Sequence, residues 1–143
     1  MSQNAEVFIA KLKKFVPHNV DNSIDLSEML DGLDRIKNAD SVIPAMFELM
    51  EKYPDADLGT PGALVHNIER IGGYETQLIQ SVERVPTYLN VWMVNRILNG
   101  SISNDLRERL IILLKSILNN PNAGQAAKES AQNFIEYQRN LKL

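Results

Sequence analysis

The sequence predicts an all-α protein of about eight helices, and three observations carry that reading. Apolar residues recur at spacings of three and four along most of the chain, which is the period of a helix face and not of a strand. Helix starts and stops punctuate those stripes, with Ser, Thr or Asn before them and Pro, Gly or Asn after them. No segment alternates apolar and polar residues in the way a half-buried strand does. The 143 residues fit one domain, 1–143. A chain of about 150 residues buries roughly 68–70% of its unfolded surface, enough for a core without disulfides or metals.

The first helix is expected from Asn4 to Val16, with Val7, Phe8, Ala10, Leu12 and Phe15 apolar and Pro17 ending it. The second is expected from Leu26 to Asn38, because Leu26, Met29, Leu30, Leu33 and Ile36 form one stripe. The third begins at Asp40 or Ser41, carries Pro44 in its first turn and ends near Tyr53-Pro54. An acidic loop, Tyr53 to Thr60, leads to the fourth. There Thr60 is placed to cap the free N–H groups, Pro61 to occupy the first helical position, and Gly72-Gly73 to stop the helix. Gly62 would let another backbone approach that helix end. The fifth helix covers Tyr74 to Val85, with Leu78, Ile79 and Val82 inward. Pro86-Thr87 opens the sixth, which runs past Trp92 to a left-handed stop at Asn99-Gly100. Ser103 caps the seventh, whose stripe is Leu106, Leu110, Leu113, Leu114 and Ile117. The last helix spans Asn122 to Leu141, with Ala123, Ala127, Ala131, Phe134, Ile135 and Leu141 facing inward. All the connections are short, so consecutive helices are expected to be antiparallel. They would stack as an α-α array resembling HEAT or armadillo repeats, or close into a compact irregular bundle.

Cysteine is absent, which removes disulfide and thiolate chemistry and fits a cytoplasmic protein. The opening segment puts its lysines after a short apolar run, unlike a signal peptide. The longest apolar run, Leu110 to Leu114, falls far short of the roughly 20 residues that span a membrane. The net charge of −3 is unevenly spread: Asp21 to Asp57 holds ten acids against three bases, and the remainder is +4. Such a surface repels nucleic acid and attracts a basic protein, or is an ordinary solvated face. The small lysine cluster Lys11, Lys13 and Lys14 has no interleaved aromatics and reads as a solvated helix face.

Assembled chemistry is not evident. His66 and Glu69 stand three apart on one helix, but a single reversed pair falls short of a metal set, so His66 is expected to be partly buried and bonded to a neighbouring loop. GTPGAL lacks the Lys-Ser/Thr and the preceding strand of a phosphate loop. There is no nucleophile elbow, so no enzyme activity, cofactor or metal is expected; an unrecognised carboxylate site is the enzymatic alternative. Trp92 is expected in the core. Asn95 and Arg96 are expected in structural hydrogen bonds, with Glu69 a candidate partner for Arg96.

The middle third resembles small helical immunity proteins of bacterial contact-dependent inhibition and related polymorphic toxin systems. The resemblance rests on Gly59-Thr60-Pro61-Gly62, Leu64-Val65-His66 with Ile68-Glu69, Pro86-Thr87, and Val91 to Asn99 with Trp92, Asn95 and Arg96. It covers about 40 of the 143 residues. It implies a small non-catalytic cytoplasmic protein whose partner is the C-terminal domain of a cognate toxin, with the shared motif serving as scaffold. Many such toxins are nucleases with basic grooves, which an acidic surface complements. On this expectation the acidic stretch Asp21 to Asp57 mimics a phosphate backbone, and the toxin-binding residues are Asp55 and Asp57 foremost, with Glu48, Glu51, Asp31 and Asp34 next. The alternative is a helical adaptor that takes a peptide or helix in a concave groove.

Overall fold

The computed structural model describes residues 4–141, and all regular structure among them is helical. Eight α-helices follow in order: α1 (Ala5–Lys14), α2 (Ser23–Met29), α3 (Ile43–Lys52), α4 (Gly62–Ile71), α5 (Glu75–Arg84), α6 (Tyr88–Leu98), α7 (Asn104–Ile117) and α8 (Gln125–Leu141). Two 3₁₀ turns, Leu33–Arg35 and Ala39–Val42, lie between α2 and α3. The chain packs as two compact units, one ending at Glu75 and one beginning at Thr76.

In the first unit α1 packs on α3 and on the turn before it, α2 packs on α4, and α3 meets α4. The Asn4 side chain caps α1 by accepting from the Val7 amide. Phe8, Leu12 and Phe15, at steps of four and three, are the residues α1 and its end bury. Val7 and Ala10 lie off that stripe and are exposed. α3 buries Ile43, Ala45, Met46, Phe47, Leu49 and Met50, and Pro44 stands in its first turn, where a missing N–H costs nothing.

The expected second helix is two elements. α2 starts earlier, at Ser23, and ends at Met29; Gly32 adopts φ +88, and the chain continues as a 3₁₀ turn. That left-handed conformation interrupts a right-handed helix and suits a residue without Cβ. The apolar stripe survives the break, with Leu26, Leu30 and Leu33 buried, because a 3₁₀ turn also keeps residues three apart on one side.

The start of α4 differs from expectation as well. Thr60–Pro61 is a cis peptide, and no side chain caps α4. Pro61 itself occupies the position before the helix, in helical dihedrals, so Thr60 lies one residue too far out to cap. Gly62 has φ +74, and a Cβ added there would meet open space. The close approach is at Gly59 instead: with φ +93, a Cβ there would lie 2.9 Å from Gly62 Cα and 2.9 Å from Ser23 Oγ.

In the second unit α8 packs on α6 and α7, and α6 packs on α7. Thr87 and Asn90 form a capping box at α6, and Ser103 caps α7 through the Leu106 amide. α6 leaves without a left-handed residue: the Asn99 amide donates to Asn95 O and the Gly100 amide to Ile97 O, both at 3.0 Å, and neither residue has positive φ. α8 begins at Gln125, because the preceding residues form a turn in which the Ala123 amide donates to Asn120 O. Its inner face is Ala127, Ser130, Ala131, Ile135 and Gln138. Phe134 is only half-buried, and Leu141, at the helix end, is 59% exposed.

Candidate functional site

The acidic loops of the first unit are organised by an amide. Asn22 is fully buried. Its Oδ1 accepts from the His18 amide at 2.8 Å, and its Nδ2 donates to Val20 O, Asp57 O and His18 O at 2.8, 2.9 and 3.2 Å. Its backbone amide adds a second bond to Asp57 O at 3.1 Å. One side chain thus ties the segment after α1 to the segment after α3. A buried amide with every polar atom engaged holds both loops in one arrangement.

Around that tie the carboxylates adopt local turns. Asp21 accepts from the Ser23 hydroxyl and amide, which hold its carboxyl below the ordinary 3.8; the hydroxyl contributes most. Asp57 Oδ1 accepts from the Gly59 amide at 3.1 Å. The two loops line an open recess of about 540 Å³, with Pro17, His18 and Asn19 on one wall and Lys52 to Asp57 on the other. His18 Nε2 stands 3.4 Å from Asp25 Oδ2. The Lys52 ammonium lies 5.5 Å from the centre of the Tyr53 ring, so the recess carries cationic as well as anionic groups. Val16, Val20 and Ile24, from the same segment, are 68%, 68% and 73% exposed.

Of the six expected contact residues, the structure brings Asp55 and Asp57 together in this recess. Asp31 and Asp34 are exposed on the connection after α2, with their carboxylates 3.9 and 4.0 Å from the Arg35 guanidinium. Their charge is therefore partly offset by a neighbour. Glu48 is exposed on α3 and Glu51 is half-buried there. The expected reading missed Asn22, His18 and the exposed aliphatics. The signal for Asn22 was the Asp-Asn-Ser run before α2, since Asn and Asp bond to nearby backbone in loops.

The residues of the shared motif divide between the units. Thr60, Pro61, Gly62, His66 and Glu69 belong to the first; Pro86, Trp92, Asn95 and Arg96 belong to the second. His66 is exposed rather than partly buried, because α4 buries Leu64, Val65 and Ile68 and His66 faces away from that stripe. Trp92 is half-buried rather than core; the Arg96 guanidinium covers its ring at 5.4 Å from the centroid. Asn95 accepts from Gln138 Nε2 at 2.8 Å.

Among the described residues no three His, Cys, Asp or Glu side chains are grouped to hold a metal ion, and no helix is long and apolar enough to cross a membrane. Family models, curated proteins and solved structures gave no match to this chain.

Proposed function

We propose that this is an immunity protein that binds a cognate bacterial toxin domain and covers its active site, with the acidic loops of the first unit as the contact surface. The observation that carries the reading is that exposed aliphatics and exposed acid share the segment leading from α1 into α2, which Asn22 ties to the acidic loop after α3. Val16, Val20 and Ile24 offer apolar area for desolvated contact along the segment from the end of α1 into α2; the exposed Asp21 and Asp25 stand on that same segment, and Asp55 and Asp57 on the loop after α3. Interfaces draw affinity from a few desolvated anchors and draw speed and selectivity from complementary charge around them. Asp21 and Asp57 are fixed by turn hydrogen bonds, so less side-chain freedom is lost on binding. A toxin with a basic substrate groove, such as a nuclease, is the partner these features suit.

The test is co-expression with the C-terminal toxin domain encoded immediately upstream. Growth should be rescued, and the two proteins should co-purify at low salt and separate progressively as salt rises. Rescue with a salt-insensitive complex would keep immunity and move the contact to apolar residues. Absence of rescue would sink the immunity reading in favour of a helical adaptor.

A further inference from the structure

A second recess, within the second unit, has the opposite chemistry. It measures about 170 Å³, lies between α7 and α8, and is lined by Arg107, Ile111, Lys115, Ile135, Gln138 and Arg139. The three α7 residues follow at four-residue steps and so share one face of that helix. Three cations meet there around two isoleucines, with no carboxylate in the lining. Like charges gathered without a counter-charge repel, and a bound anion relieves that repulsion.

The arrangement is held from behind. Gln138 is 2% exposed, and its Nε2 donates to Asn95 Oδ1 and Asn99 Oδ1 at 2.8 and 2.9 Å. With both amide protons committed to α6 and its end, the Gln138 carbonyl is left to accept from the Arg107 guanidinium at 3.4 Å. That contact uses one of the five N–H donors of Arg107 and orients the fork. The result is a preorganised cationic rim over an apolar floor.

We infer that this recess binds a small aliphatic carboxylate of about six carbons in all. The size follows from volume: a cavity of about 150 Å³ accommodates a benzene-sized group. The class follows from the lining: charge-assisted bonds from Arg107, Lys115 and Arg139 would hold the carboxylate, and Ile111 and Ile135 would cover the stem. Inorganic phosphate would engage the cations and leave the isoleucines uncovered.

The experiment titrates the full chain with hexanoate, 1-hexanol and inorganic phosphate at constant ionic strength, followed by amide chemical shifts and by thermal unfolding. Hexanoate should bind saturably, shift amides of α7 and α8 and raise Tm with concentration. The double variant Lys115→Gln, Arg139→Gln, at two exposed positions that leave the core intact, should weaken hexanoate by about tenfold or more. Hexanol and phosphate should each bind at least about tenfold more weakly than hexanoate. Hexanol binding as well as hexanoate would remove anion recognition, and phosphate binding as well would remove the apolar floor; either overturns the inference. So would the absence of saturable hexanoate binding, or unchanged affinity in the double variant.

Discussion

The Asn22 side chain spans loops that lie 35 residues apart in sequence, donating to Asp57 O while accepting from the His18 amide. Removing it strips several buried or half-buried backbone groups of a partner at once, and unpaired groups cost more than the bond itself contributes. Asn22→Ala should therefore lower unfolding free energy by about 2–3 kcal/mol in urea titrations. It should also loosen the loops that carry Asp55 and Asp57. Asp55→Lys, by contrast, alters an exposed loop carboxylate and should leave stability within about 0.5 kcal/mol. A third residue-scale expectation concerns pH. The folded-state pKa of Asp21 is depressed by the Ser23 hydroxyl and amide, so the stabilisation it contributes is present above the unfolded value near 3.8 and is lost as pH falls through the folded value. Ser23→Ala should move the Asp21 titration, followed by carboxyl NMR, back toward 3.8 and flatten the acid limb of stability. An Asp21 titration that stays in place in Ser23→Ala would show that the hydroxyl is not the cause.

At the scale of elements, helix ends decide what the stripes become. At α6 the Thr87 hydroxyl accepts from the Asn90 amide at 3.1 Å, and Asn90 Oδ1 accepts from the Thr87 amide at 2.7 Å. Asn90 also donates to Ser81 Oγ and Val85 O, both at 3.0 Å, and is fully buried. It therefore ties the start of α6 to α5. Thr87→Ala should cost about 1 kcal/mol as a lost cap, whereas Asn90→Ala should cost more, about 2–3 kcal/mol, because it also removes the bonds to Ser81 Oγ and Val85 O. Equal losses for the two variants in chemical denaturation would refute a wider role for Asn90. The starts at Asn4, Thr87 and Ser103 were legible because each is a polar residue directly before an apolar stripe. The break at Gly32 was not, since Leu26, Leu30 and Leu33 keep their spacing on both sides of it. Thr60 misled for another reason: Thr-Pro reads as cap and first turn, but the helix begins one residue later. Gln138 escaped notice because an amide at a helical core position looks like a surface residue until Asn95 and Asn99 are seen to receive it.

Across the whole molecule, charge divides with the two packing units. Up to Glu75 there are thirteen acids against seven bases, a net −6; beyond it there are five acids against eight bases, a net +3. The excess of acid between Asp21 and Asp57 was readable from composition alone. What composition could not supply was grouping: Asp55 and Asp57 share a recess with His18, while Asp31 and Asp34 sit with Arg35. The pairs with Arg35 are local, one of them at i,i+4, whereas the grouping of Asp55 and Asp57 with His18 is tertiary, and no residue spacing encodes it. The grouping sharpens the test of electrostatic steering. If the loops around the recess guide a basic toxin domain, reversing a charge there matters more than the same reversal in the second unit, although both change net charge equally. Asp55→Lys should slow association with the upstream-encoded toxin domain by about three- to tenfold at low ionic strength, measured by stopped flow. Glu108→Lys, at an exposed position on α7, should change it by less than about twofold. The two variants should converge on the wild-type rate in about 0.5 M salt, where charges more than a few ångströms apart are screened. Equal slowing by both would mean that net charge alone governs encounter, and an unchanged rate for Asp55→Lys would remove the acidic loops from the interface.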